Sequence, residues 1–249
     1  MTDALKGLAA DRAALLDICA DLSASDWAAA SGCPGWSVQD VVAHLGNTFQ
    51  VAVDPAVLPE EGRGLPSERA QDLFVEWRRP CTAAEVLADY RAVSEKGLDM
   101  LAGLAGAEFE VPVGDLGTYP AAVLPTAYCF DHYTHIRADL FPPRGPLAGP
   151  PPPADELRLV PVLDWIEAAL PQQNEAAVAA LAAPVDITLT GTAARTVRVG
   201  PDGPPAAWVR SDSDAFVRWI TQRAAWADLG VTAEGDERLL GVIRDLKVF

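Results

Sequence analysis

Apolar residues at Leu5, Leu8, Leu15, Leu16, Cys19 and Leu22 recur three and four apart. That stripe predicts a helix from Asp3 to about Leu22, closed by Ser23 to Asp26. Cys33-Pro-Gly-Trp36 reads as a turn, and Ser37 with Asp40 three residues on forms a capping box. The helix it opens runs to about Phe49, burying Val38, Val41, Val42, Leu45 and Phe49 and carrying His44 on the flank of that face. Residues 54–66, rich in Pro, Gly and Glu, read as a loop long enough to form a rim. A short helix is expected over Ser67 to Arg78. Thr82 and Glu85 cap a longer one to about Leu104, with Val86, Leu87, Tyr90, Val93, Leu98 and Leu101 inward. Residues 108–117 look irregular. A further helix starts near Tyr119-Pro120, is kinked by Pro125 and ends at Phe141.

The pattern then changes character. Residues 142–153 are dominated by proline, a stiff extended connector. Beyond it, helical spacing over 155–170 and 172–181 gives way to the alternation of strands at 185–190 and 195–199. Gly200-Pro-Asp-Gly203 reads as a hairpin turn into a third strand over 206–210. Ser211 to Asp214 cap a helix through Trp226, and Gly235-Asp236 open a last one to Leu246. The expected organisation is a helical domain over 1–145, a small α+β domain over 154–249, and the Pro-rich linker 142–153 between them.

Composition narrows the function. Of the 249 residues half are hydrophobic, so a folded, core-forming chain is expected. A net charge of −16 disfavours nucleic acid and anionic membrane surfaces as partners. No stretch reads as a signal peptide or a membrane span, which gives a cytoplasmic protein as the expectation. Cys19, Cys33, Cys81 and Cys129 form no CxxC pair and read as free thiols, Cys19 and Cys129 as core packing.

The chemistry concentrates in Ala127 to Asp139. Asp131, His135 and Asp139 recur every four residues, which stacks them on one helix face. Only three histidines exist, and His132 and His135 both lie here while His44 lies far upstream. A carboxylate and an imidazole at i and i+4 can bite one divalent ion, and a third ligand from a facing helix leaves a coordination position open. His44, Asp131 and His135 are therefore the candidate metal ligands, most plainly for Zn2+. His132 projects about 100° away and is the reserve. Arg137 points elsewhere on the helix and reads as solvated. No Ser-His-Asp triad or phosphate-cradling glycine motif is present.

The string Cys33-Pro-Gly-Trp-Ser-Val-Gln-Asp-Val-Val-Ala-His44 resembles the signature of the mycothiol-dependent maleylpyruvate isomerase family. The resemblance implies a DinB-like four-helix N-terminal domain and a small sterol-carrier-like second domain. It implies that His44 is a zinc ligand together with an acid and a histidine on the fourth helix, here Asp131 in place of glutamate, and His135. The family's next acidic residue commonly falls three positions after that histidine, whereas Asp139 falls four after. Phe216 to Arg223 and Leu229 to Asp236 resemble the family's second domain. There Arg223 matches an arginine near the active site, but Gln222 stands where glycine is usual. By this resemblance the cofactors are a divalent metal and mycothiol or a similar thiol, and Arg223 anchors a carboxylate of substrate or thiol. The implied activity is cis–trans isomerisation of a small electrophile by reversible thiolate addition, or thiol transfer to one.

The expected partners are thus a small-molecule substrate and a small thiol, with the chain a monomer or homodimer. The competing reading keeps the fold but not the chemistry: a non-catalytic metabolite-binding module with a degenerate or structural metal site. Asp131, Gln222 and the position of Asp139 favour it. An enzyme of the same fold working without thiol is the third reading.

Overall fold

The computed structural model describes residues 2–57, 60–62 and 64–249. Leu58, Pro59 and Arg63 of the expected rim loop lie outside the described residues. The chain mixes helices with sheets and divides into two compact units, Met1–Pro153 and Ala154–Phe249.

In the first unit, α1 (Asp3–Ala20) is capped by Thr2 and ends two residues before Leu22. Ser23 and Asp26 then form a capping box that starts the short α2 (Ala24–Ala28), so this segment opens a helix as well as closing one. α3 (Val38–Val53) begins at the Ser37–Asp40 box and runs four residues beyond Phe49. α4 (Ser67–Arg78) and α5 (Ala83–Ala102) follow, α5 opening on the Thr82–Glu85 box. α3 packs on α4 and α5, and α1 on α5 and on α6 (Leu124–Thr134). Leu8, Leu15, Val41, Leu45, Phe49, Tyr90 and Leu101 are fully buried between them. Each removes an apolar side chain from water, a gain of about 1.5–3 kcal/mol per residue.

Several features of this unit differ from the sequence pattern. Residues 108–117 are irregular only in part: β1 (Glu110–Pro112) lies within them and pairs antiparallel with β2 (Thr118–Pro120), Val111 opposite Tyr119. The helix therefore starts at Leu124, and Pro125 falls in its first turn, where a missing N–H costs nothing and no kink arises. The distortion sits further on. From His135 to Leu140 the backbone widens into a π-helical turn that continues α6. The Pro-rich stretch folds back on the same unit: Leu147 is buried, and its N–H donates to the Leu140 carbonyl at 2.9 Å.

In the second unit, α7 (Glu156–Gln173) and α8 (Glu175–Ala179) precede a four-stranded sheet. Its strands are β3 (Val185–Thr190), β4 (Arg195–Val199), β5 (Ala207–Asp212) and β6 (Thr232–Gly235), in the order β4-β3-β5-β6. Gly200 to Gly203 is not a hairpin turn, because β5 pairs parallel to β3 and not with β4. β3 shows why: it is buried on alternate residues and hydrogen-bonded on both edges, the central strand. β6 is an exposed edge strand with no alternation to betray it. α9 (Ser213–Ile220) stops six residues short of Trp226, and α10 (Glu237–Asp245) closes the chain.

Candidate metal centre

The loop before α3 is built to deliver its first turns. Pro34 and Gly35 make a tight turn in which Trp36 N–H reaches the Cys33 carbonyl at 3.1 Å, and Gly35 adopts φ +81, which suits glycine alone. The Ser37 hydroxyl accepts the Asp40 N–H at 3.1 Å, and the Asp40 carboxylate accepts the Ser37 N–H at 2.9 Å. Arg79 clamps the same carboxylate at 3.3 and 3.4 Å. His44 stands one turn along from this anchored start.

The structure brings His44, Asp131 and His135 together. His44 Nε2 lies 3.2 Å from Asp131 Oδ1, and His135 Nε2 lies 3.4 Å from the same oxygen. The two imidazole centroids are 4.8 Å apart, and the ring of Trp36 closes one side at 5.1 Å from His44 and 6.3 Å from His135. The side chains of His44, His135 and Asp131 are 8, 12 and 24% exposed, so the recess is partly dry but open at the carboxylate. Its other oxygen, Asp131 Oδ2, is buried without a hydrogen-bond partner among the described residues. Two donors each about 2.0–2.1 Å from a tetrahedral zinc stand about 3.3 Å apart. The donor set present, two imidazoles converging on one carboxylate whose second oxygen is left unsatisfied, fits such an ion.

Asp131 and His135 form a charge pair even without metal. Burial alone would raise the Asp131 carboxyl, but the charge and hydrogen bonds of His44 and His135 hold it well below its usual value. Burial likewise opposes charge on His135, yet Asp131, Asp139 and Cys33 hold its imidazole well above its ordinary value. The shortened acid still reaches both rings: His135 stands one helical turn on from it at the end of α6, and the anchored α3 presents His44.

Other expected residues fall elsewhere. His132 is fully buried and turned away. Its Nδ1–H donates to the Tyr128 carbonyl at 3.0 Å, and its Nε2 accepts from the Tyr90 hydroxyl at 3.0 Å. Burial pushes its pKa down, so it is a neutral packing group. Arg137 is not solvated. It is 3% exposed and paired with Asp11 across the unit, at 2.8 and 3.0 Å. Arg223 follows α9 in the second unit, half-buried, its N–H bonded to the Arg218 carbonyl at 2.8 Å. Gln222 before it takes φ +57, the left-handed helix-ending conformation that glycine adopts freely. Its side-chain amide donates to the Leu246 carbonyl at 2.9 Å, a tie to the end of α10 that glycine could not make.

Sequence reasoning missed Cys33 as a neighbour of the centre. Its Sγ lies 3.5 Å from His135 Nδ1, and Cys33, His135 and Asp139 form a second group whose donor atoms all lie within 4.8 Å. Its place at the head of the string that ends in His44 was the available signal. No helix among the described residues is long and apolar enough to cross a membrane.

The family model described as mycothiol maleylpyruvate isomerase N-terminal domain matches residues 8–141. The crystal structure of the mycothiol-dependent maleylpyruvate isomerase superposes with a TM-score of 0.63 at 14% identity, covering 95% of both chains. A histidine-to-alanine mutant of it superposes at 0.60, again with 14% identity and 95% coverage of each chain. At that identity the likeness is one of fold. No curated protein matches the chain significantly.

Proposed function

The chain belongs to the mycothiol maleylpyruvate isomerase N-terminal domain family, and from that premise we propose that it is a metal- and thiol-dependent enzyme. It acts on a small, carboxylated electrophile, by cis–trans isomerisation or by thiol transfer. The first unit is read as a DinB-like four-helix bundle and the second as the family's small α+β domain. The observation that carries the proposal is the convergence of His44 Nε2 and His135 Nε2 on one oxygen of Asp131.

In this reading His44, Asp131 and His135 hold a divalent metal, most simply Zn2+. An ion held by these three residues would supply Lewis acidity, favouring the thiolate form of a small thiol whose free pKa is near 8.5; reversible addition of that thiolate would let a conjugated cis double bond rotate. Asp131 offsets the charge of the ion, and its partly exposed edge leaves one approach open to a thiol of the mycothiol kind. Trp36 shields the imidazoles from water. Arg223 receives a carboxylate of substrate or thiol in its guanidinium fork. The protein works as a soluble cytoplasmic monomer or homodimer with no nucleic-acid or membrane partner.

The test is turnover of maleylpyruvate with mycothiol by the metal-loaded protein, alongside an electrophile panel for thiol transfer. His44→Ala is expected to lose at least about 100-fold, since it removes a ligand. Full activity in that variant overturns the assignment. Metal binding without any thiol consumption would instead support the metabolite-binding module.

A further inference from the structure

We infer that Asp139 is a positioning residue for the metal centre, fixing the ring of His135 so that Nε2, and not Nδ1, faces Asp131 and His44. The inference rests on the metal reading above. A neutral imidazole that gives one nitrogen to an ion carries its proton on the other, and an acceptor for that proton sets both tautomer and ring orientation. His135 Nδ1 lies 2.9 Å from Asp139 Oδ2, and Asp139 is fully buried. The other carboxylate oxygen is 3.6 Å from Arg144 Nε, so the acceptor is itself held. His44 has no such support: its Nδ1 is buried with no partner among the described residues. One imidazole is thus placed by packing against Trp36 and the other by a carboxylate.

Two pieces of backbone place that carboxylate. Asp139 lies four residues after His135, inside the π-turn over His135–Leu140, and its carboxylate reaches back to the ring. The loop ahead of α3 then locks it: Gly32 N–H donates to the Asp139 carbonyl at 2.8 Å. Only glycine fits there, because a Cβ on Gly32 would lie 2.8 Å from Asp139 Oδ1 and 2.9 Å from its Cα. The segment that leads to His44 is therefore seated directly on the residue that orients His135. The Nδ1 proton also closes the Cys33–His135–Asp139 group to a second ion, since its nitrogen lone pair is no longer free.

The experiment is zinc affinity of the full chain, measured by competition with a chromophoric chelator, for the wild type, Asp139→Ala and Asp139→Asn. Asp139→Ala is expected to weaken zinc about 10–100-fold, and Asp139→Asn, whose amide oxygen still accepts the proton, less than that but at least about threefold. In the zinc-loaded wild type, 15N-histidine spectra should show the His135 Nδ1–H protected from exchange, and Asp139→Ala should lose that protection. A merely structural role for Asp139 would lower the melting temperature of the metal-free protein and leave zinc affinity unchanged. Zinc held by the wild type and Asp139→Ala within about twofold overturns this inference and leaves the metal reading standing. Should the alanine variant not fold, an unchanged dissociation constant for Asp139→Asn overturns it. Zinc held by none of the three overturns both.

Discussion

Replacing Asp11 by alanine tests how the segment bearing His135 and Asp139 is held. Arg137 lies within the π-turn between them, and both it and Asp11 are 3% exposed. Its guanidinium donates to Asp11 at 2.8 and 3.0 Å, to the Tyr133 carbonyl at 3.4 Å and to the Pro153 carbonyl at 3.0 Å. It also lies 3.9 Å over the Tyr133 ring. Asp11→Ala leaves the carbonyls and the ring but removes the counter-charge from a buried cation, at a cost of about 3–5 kcal/mol. Arg137 Nε has no acceptor among the described residues, so the pairing is incomplete and the lower end, about 3 kcal/mol, is expected. At about 2–4 °C per kcal/mol for 150–250 residues, the melting temperature should fall by at least about 6 °C. Urea unfolding followed by circular dichroism gives the free energy. Asp11→Leu combined with Arg137→Met should lose less than either single change, because no charge is then stranded. A loss under about 1 kcal/mol for Asp11→Ala, or a double variant that loses the sum of the singles, refutes the reasoning.

Three further outcomes are expected. In the metal-free protein, His135 titrates above its ordinary 6.5 and Asp131 below 3.8. The raised histidine stabilises fully below about pH 6.5 and loses that contribution as pH rises through its folded value. The lowered carboxyl stabilises above about pH 3.9 and loses its contribution as pH falls through its folded value. Melting temperature should therefore drop above about pH 6.5, and His135→Gln should flatten that slope; a slope unchanged in the variant contradicts the pairing. Zinc affinity should rise with pH over the same range, because His135 must shed a proton to ligate, and a pH-independent constant would count against His135 as ligand. In the second unit, Gln222→Ala keeps the left-handed strain and loses the bond to the Leu246 carbonyl, whereas Gln222→Gly loses the bond but relieves the strain. The glycine variant should be the more stable in urea unfolding, by about 1 kcal/mol, and the reverse order would contradict the strain argument.

What the sequence disclosed, and what it hid, follows from the range of the forces involved. The boxes at Ser37–Asp40 and Thr82–Glu85 are local hydrogen bonds between residues three apart, so they are visible as short strings. β3 is visible because one buried face imposes strict alternation. β6 and the β1–β2 ribbon are exposed, proline-bearing or both, and carry no such period. The pairing of β5 with β3 depends on a connection the local pattern does not encode. At the candidate centre, the four-residue spacing put Asp131, His135 and Asp139 on one face. His44, one of only three histidines and set on the flank of a buried helix face, was readable as the third ligand from the residues, and the family resemblance pointed to the same position. The π-turn was unreadable, because the helix ends with it at Leu140 and no later apolar positions record the shift in phase, and with it went the burial of Arg137 and the seating of Gly32 on Asp139.

The central claim is that two imidazoles and one carboxylate share a divalent cation, and elemental analysis of protein purified without chelator tests it most directly. The account predicts about one equivalent of zinc or a comparable divalent metal, falling below about a tenth in His44→Ala. Less than about a tenth of an equivalent in the wild type, or an undiminished content in His44→Ala, would contradict it.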